Sequence, residues 1–349
     1  MGVGLNGKWL SQPITGTQRY AGEIARRVIP QLDGPVTLHL PRDAEAPAWL
    51  PPSVTVRRSP LRGTIFEQLW LPWAARRDLL VSLGGPAPLA APRQIVTMHD
   101  ASPFRFPDTY SRLFGTWYRF MYRVLAHRAA AILTVSEFSA SELAEVLGVA
   151  RNRFVVAGNG SDHVDGIKPV RPLLDGLDAD FVLCVGTFAK HKNLADTLTA
   201  LESQSVRTIV VGASGSDRVF HAERRQDWQH ATFAGRLSDG EIVWLYDHAR
   251  CLVFPSRYEG FGLPIVEAQR RGCPVVALAA ASVPEVAGDG AELVAATEEL
   301  PAAVRDVLGD PARRDELRAA GRANAGRRRW RGSAETVARL ILRIRTAQG

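Results

Sequence analysis

Phe254 to Glu285 reads FPSRYEGFGLPIVEAQRRGCPVVALAAASVPE, and its punctuation sets an order of strand, loop and helix. The apolar run Cys251-Leu-Val-Phe254 has strand length and stops at Pro255 and Ser256. Pro264 suits the first turn of a helix, where no carbonyl waits for the amide hydrogen it lacks. Between them, Gly260 and Gly262 permit torsions closed to other residues. The amides of residues 261 to 263 are then free to face an anion at the positive end of the new helix. Glu259 and Glu267 frame this turn with seven residues between them. Carboxylates only accept hydrogen bonds and hydroxyls donate them, so the pair suits polyols. Glu267, expected in the helix's first turn, would meet ribose hydroxyls, and Glu259 a second polyol. An acidic residue in a first turn also favours the helix dipole whatever the protein does, so that plain alternative stays open for Glu267.

Working outward, strands alternate with helices. Val3 to Leu5 is a short first strand, Ser11 to Tyr20 a loop entering a helix that runs to about Val28, and Val36 to Leu40 a second strand. Ile95 to Met98 reads as a buried strand ending at His99-Asp100. Ala131 to Val135 reads as another, ending at Ser136-Glu137, where a helix begins with capping chemistry. Strand ends of this kind are where open α/β sheets place ligands. The Pro- and Asp-bearing stretch Asp162 to Asp180 reads as a linker, after which the alternation restarts. The expected fold is α/β, two Rossmann-like domains facing across a cleft. The boundaries are 1–165 for an N-terminal domain, 166–330 for a C-terminal domain, and 331–349 for a last helix returning to the first.

Composition narrows the function class. A chain of 349 residues, 46% hydrophobic, can bury two cores. No run approaches 18 apolar residues and no basic start precedes an apolar core, so the expectation is a cytoplasmic protein without a spanning helix. Met1-Gly2 invites a myristoyl group, but Asn6 stands where Ser or Thr is needed. Cys184, Cys251 and Cys273 are scattered and odd in number, which points to buried free thiols rather than a bridge or metal site. Only four of the 43 basic residues are lysines, and two of those, Lys190 and Lys192, lie close together after the Phe181 strand. The net charge of +7 follows no single stripe and no nucleic-acid module is present, so nucleic acid is not an expected partner. From Arg112 to Ala126, Phe114, Trp117, Tyr118, Met121, Tyr122 and Leu125 recur at helical spacing, with Arg112, Arg119 and Arg123 on another face. This is a core-facing amphipathic helix or, alternatively, a surface that meets anionic lipid.

The Glu259-to-Glu267 segment resembles the nucleotide-sugar signature of retaining glycosyltransferases of the GT4 type, which have the GT-B fold. The resemblance extends through Ala268 to Val276 (AQRRGCPVV), Ser282 to Gly288 (SVPEVAG), Phe233 to Tyr246 (FAGRLSDGEIVWLY) and Phe181 to Leu194 (FVLCVGTFAKHKNL). Taken in order, these cover nearly all of residues 181 to 290. In the N-terminal half, Leu5-Asn6-Gly7 with Pro13 to Tyr20 (PITGTQRY), Glu67 to Pro72, Val96 to Asp100 and Asn159 to Asp162 resemble bacterial polysaccharide members.

The resemblance implies a hexosyl or deoxyhexosyl transfer, mannose or rhamnose favoured, from a nucleoside-diphosphate sugar. The implied acceptor is a saccharide or lipid-diphosphate-linked saccharide, in polysaccharide or O-antigen assembly. It implies donor contacts from Gly16, Gly186, Thr187, Lys192, Gly212, Arg236, Glu259, Gly260, Phe261, Gly262, Leu263 and Glu267. Lys192 would neutralise the β-phosphate, His99 would contact a donor-sugar hydroxyl, Asp100 would orient or activate the acceptor, and Glu259 would stabilise positive charge on the sugar. No metal or other cofactor is implied. Where relatives carry an arginine this chain has Thr187, so the phosphate grip would lean on Lys192 and Arg236. Peripheral contact with the inner face of an anionic membrane is a further expectation.

Competing classes fare less well. Asp178-Ala179-Asp180 has the form of a metal motif, but it precedes a strand, whereas a metal motif should follow one. No Gly-x-Gly-x-x-Gly follows a first strand, and Val211-Gly-Ala-Ser-Gly215 is too short for dinucleotide binding. A sugar-nucleotide epimerase of similar two-domain build and a non-catalytic sugar-nucleotide-binding protein remain as alternatives.

Overall fold

The computed structural model describes residues 1–212 and 228–347. The chain divides into two units, Met1–Asn159 with Trp330–Gly349, and Gly160–Arg329.

The first unit holds a seven-stranded parallel sheet: β1 (Gly2–Asn6), β2 (Val36–Leu40), β3 (Thr55–Arg58), β4 (Asp78–Ser82), β5 (Gln94–Thr97), β6 (Ala131–Thr134) and β7 (Phe154–Val156), in spatial order β3-β2-β1-β4-β5-β6-β7. Apolar runs such as Gln94-Ile-Val-Thr97 and Ala131-Ile-Leu-Thr134 are buried at every position, as a parallel sheet covered on both faces requires. β3 differs. It is a fully exposed edge strand whose Arg57 and Arg58 discourage further pairing. The helix Gly16–Val28 buries Tyr20 and Ile24, and Tyr20 meets Trp330 of the last helix, Trp330–Thr346, edge to face at 6.1 Å. Both rings are wholly buried, which anchors that helix to this unit. The helix Glu137–Leu147 begins where Ser136 accepts a bond from the Ser139 amide at 2.9 Å.

The second unit repeats the design with β8 (Val182–Val185), β9 (Thr208–Val211), β10 (Ala231–Gly235), β11 (Leu252–Phe254), β12 (Val275–Leu278) and β13 (Glu292–Val294), in order β10-β9-β8-β11-β12-β13. Its core gathers Val182, Leu198, Val210, Val253, Val276 and Val304. In both sheets the order reverses once, between β1 and β4 and between β8 and β11. Ligands of doubly wound sheets sit at the carboxyl ends of strands at such a reversal.

The three cysteines are free and buried, and burial pushes the Cys184 thiol up to about 12. The aromatic helix runs Arg112–Arg128, but its polar and apolar faces differ from the expected ones. Leu113, Phe114 and Phe120 are 85%, 45% and 50% exposed. Arg119, by contrast, donates to the Pro103 carbonyl and Arg123 stacks on Phe104. Met121, Tyr122 and Leu125 face the core as read.

Candidate functional site

The β11 strand delivers the chain to the loop 255–262, and Gly262 turns it into the helix Leu263–Arg271. Gly262 has φ 89°, and a Cβ there would lie 3.2 Å from Ile265 Cδ1 and 3.5 Å from the Phe254 ring, so a side chain is opposed by torsion and by packing. The buried hydroxyl of Ser282 lies 3.0 Å from the Glu259 carbonyl and 3.1 Å from that of Phe261, and its one hydrogen holds both inward. Among the described residues no acceptor meets the amides of Phe261, Gly262 or Leu263, which stand at the positive helix end. Among the described residues, two of the three non-glycine residues with positive φ, Asn193 and Ala281, flank this turn and the loop beside it. Such torsions persist where surrounding structure enforces them, and they cluster at working sites.

The loop after β8 comes alongside. Gly186 and Thr187 leave the strand, a tight turn Lys190–Lys192 follows, and the Arg257 amide donates to the His191 carbonyl at 2.8 Å, tying this loop to the one after β11. Lys192 Nζ donates to Glu259 Oε1 at 2.7 Å, with side chains 25% and 13% exposed. The pair spans the reversal point of the sheet. Gly212, with φ 86°, sits against Gly186: a Cβ there would stand 3.4 Å from the Gly186 oxygen. Its amide donates to Gly235 at 2.7 Å, which sets exposed Arg236 at the same sheet end. Gly186, Thr187, Lys192, Gly212, Arg236, Glu259 and Gly260 to Leu263 therefore gather at the carboxyl ends of β8 to β11. Residues 213–215 of the short glycine run lie outside the described residues.

Glu267 corrects an expectation. The helix starts at Leu263 and has no acidic residue in its first turn, so Glu267 lies in the second. A helix-dipole role fades within one turn and does not account for it. Two residues missed in the sequence hold its carboxylate instead: Tyr246 donates its hydroxyl to Oε2 at 3.0 Å, and His163 Nε2 lies 3.0 Å from Oε1. Burial, then the nearby Glu267 charge, raise the Tyr246 phenol well above its ordinary range, so it stays a donor. His163 fell in the stretch read as linker, and Tyr246 closes the stretch Phe233 to Tyr246 with no spacing that points it at Glu267.

In the first unit, His99 and Asp100 follow β5. His99 Nε2 lies 3.1 Å from the Leu83 carbonyl and the ring meets Tyr20 edge-on at 5.1 Å. Burial lowers the His99 pKa, outweighing the Leu83 bond and the Asp100 charge, so the ring is neutral with Nδ1 as its acceptor. Asp100 Oδ1 accepts from the Ser102 amide at 2.7 Å and starts the turn Ser102–Arg105. Gly16 opens the Gly16–Val28 helix with nothing within 4 Å of where a Cβ would stand, so the fold itself does not require glycine there. A half-buried ion pair went unread: Lys8 donates to Glu67 at 2.7 Å, and Glu67, 1% exposed, lies in the π-helical turn Phe66–Trp70.

Asp178 and Asp180 precede β8 and pair with Arg171 and Arg250. Among the described residues no group of three His, Cys, Asp or Glu could hold a metal ion, and no helix is long and apolar enough to cross a membrane.

Comparison with known proteins agrees with this architecture. The glycosyl transferases group 1 family model matches residues 172–324, and the glycosyltransferase family 4 model matches residues 14–164. O-antigen chain mannosyltransferase B of Escherichia coli is 28% identical over 370 residues, which cover 92% of this chain and 94% of that protein. Among solved structures, sucrose-phosphate synthase from Thermosynechococcus elongatus superposes with a TM-score of 0.76 over 99% of this chain and 100% of its own, at 19% identity. HepE of Anabaena in complex with UDP-glucose gives 0.72 over 99% and 100%, at 18% identity. At these identities the structural likeness establishes the fold, GT-B.

Proposed function

The chain belongs to the group 1, family 4 glycosyltransferases, and from that premise we propose that it is a retaining mannosyltransferase of O-antigen or related polysaccharide assembly. The donor is a nucleoside-diphosphate mannose, with a rhamnosyl donor second, and the acceptor a saccharide or lipid-linked saccharide. What supports this reading is one juxtaposition at two neighbouring strand ends: the ammonium of Lys192 after β8 against the carboxylate of Glu259 and the uncapped helix amides of residues 261 to 263 after β11. The match along nearly the whole length of an O-antigen mannosyltransferase supports the sugar.

Glycosyl transfer needs a departing diphosphate and an oxocarbenium-like sugar to be stabilised while the acceptor hydroxyl is held beside both. The diphosphate docks on the amides of 261 to 263 and draws Lys192 toward its β-phosphate, with Arg236 and Thr187 completing the grip. Glu259, relieved of its lysine, accepts hydroxyls of the sugar and faces the positive charge as the bond breaks. Glu267 accepts the ribose hydroxyls. The leaving phosphate takes the acceptor proton on the face it departs from, which preserves the anomeric configuration. Neutral His99 accepts a sugar hydroxyl at Nδ1, and Asp100 orients the acceptor. No metal takes part. The protein is cytoplasmic, and the exposed Leu113, Phe114 and Phe120 beside Arg112 rest on the inner face of the membrane. The family match does not favour the epimerase or the non-catalytic sensor.

A thermal-shift panel of GDP-, UDP- and dTDP-sugars tests the donor. At a hundredfold excess over Kd the fitting donor raises Tm by about 5–10 °C. No shift with any of them would remove the proposed seat. Product analysis with a mannosylated acceptor then reads the anomer, and a β-linked product from an α-linked donor would exclude retention.

A further inference from the structure

The Glu267 carboxylate is held more firmly than a simple hydroxyl acceptor needs. Its side chain is 13% exposed, with the Tyr246 hydroxyl on one oxygen and the His163 ring, 5% exposed, on the other. Facing a carboxylate, His163 Nε2 carries the hydrogen and donates it. Two of the carboxylate's roughly four acceptor positions are used, which fixes the plane in which the others point.

The segment bearing His163 is itself fastened at both ends. Ser161 donates its amide to the Arg328 carbonyl at 2.9 Å and directs its hydroxyl to the Ala325 carbonyl at 3.1 Å. Asp165 takes both Arg270 donors, one of them at 2.8 Å, on the very helix that carries Glu267. The Arg270 guanidinium holds the Asp165 carboxyl below its usual range, so this clasp is ionic at neutral pH. Residues 163 and 165 on the segment thus meet residues 267 and 270 on the helix, two contacts that fix its register.

We infer that His163 and Tyr246 are positioning residues that aim the free lone pairs of Glu267 at a vicinal diol, and so set the enzyme's selectivity for a ribose over a deoxygenated sugar in the donor nucleotide. This rests on the proposed donor seat. A carboxylate already held by two donors presents its remaining lone pairs to two adjacent hydroxyls without further ordering, whereas a freely rotating one loses that freedom on binding. The selectivity resides in the angle that His163 and Tyr246 impose, and neither needs to touch the nucleotide.

The test is calorimetric binding of GDP and UDP, each beside its 2′,3′-dideoxy analogue, to the full chain and to three variants. The native protein is expected to prefer its ribonucleotide by about tenfold or more. His163→Ala and Tyr246→Phe are each expected to weaken ribonucleotide binding by about tenfold and to leave the dideoxy analogue within about twofold. His163→Gln, which restores an N–H donor, is expected to recover most of the loss. Tyr246→Phe removes only a hydroxyl, so it reports even where His163→Ala unfolds. Equal losses for both analogues would make His163 and Tyr246 mere braces, overturning the inference and leaving the donor seat intact. A native protein that binds both analogues equally would overturn it too, by removing Glu267 from the ribose. Binding of neither nucleotide would remove the seat itself, and the inference with it.

Discussion

Replacing Lys192 with methionine keeps the length of the side chain and deletes its charge. In the free protein the ammonium lies 2.7 Å from Glu259, and the two side chains are 25% and 13% exposed. A charge-assisted hydrogen bond contributes about 1.5–3 kcal/mol net, and a lysine one quarter in water falls at the lower end, roughly 1–2 kcal/mol. In a unit spanning Gly160–Arg329, each kcal/mol moves Tm by about 2–4 °C, so a fall of about 2–8 °C is expected. Transfer should suffer more. The leaving diphosphate gains charge as the glycosyl bond breaks, and losing one group aimed at developing charge costs about 3–4 kcal/mol, roughly 10²–10³ in kcat/KM. The assay is release of nucleoside diphosphate with acceptor present, run beside melting curves on Lys192→Met, Glu259→Gln and the double variant. The double variant leaves no carboxylate without its partner, so its Tm should recover while its transfer does not. If Lys192→Met keeps kcat/KM within about threefold of native, or if the double variant restores transfer along with Tm, Lys192 belongs to a structural pair and the phosphate grip lies elsewhere.

Two further outcomes follow from the first unit. His39 is wholly buried with neither ring nitrogen hydrogen-bonded, and burial, then Arg57, lower its pKa to about 4. The unfolded chain takes up a proton near pH 6.5 that the folded one refuses until about 4, so stability is complete above 6.5 and drains away as pH falls between them, by about 3 kcal/mol in all. Urea midpoints at pH 7 and pH 5 should therefore converge in His39→Leu, and an unchanged gap would acquit this residue. Trp330→Ala empties the wholly buried ring site against Tyr20 and should cost about 3–5 kcal/mol. A urea-derived loss below about 1 kcal/mol would mean that the last helix is held by something other than this contact.

Local chemistry was legible wherever it acts within a turn. Ser136 starts its helix as its side chain dictates, and the Pro and Gly spacing after Phe254 placed strand, loop and helix in the observed order. The reading slipped where one residue mattered. A proline marks a helix start only to within a residue, and with Leu263 as the first helical residue Glu267 passes into the second turn. Periodicity places Phe114 on an apolar stripe with core and lipid surface both open, because it gives the direction of a stripe and not the width of what covers it.

By itself, then, the sequence determined the βα alternation and the glycine turn ahead of Pro264, because torsional limits and caps are properties of a few adjacent residues. Only the tertiary structure decided which of them meet. Lys192 reaches Glu259 because the β10-β9-β8-β11-β12-β13 order makes β8 and β11 neighbours. Glu267 acquires His163 and Tyr246 because a strap and a second helix close over it. Those pairings join residues up to 104 positions apart, and interactions at that range depend on strand order and packing, which no local spacing encodes.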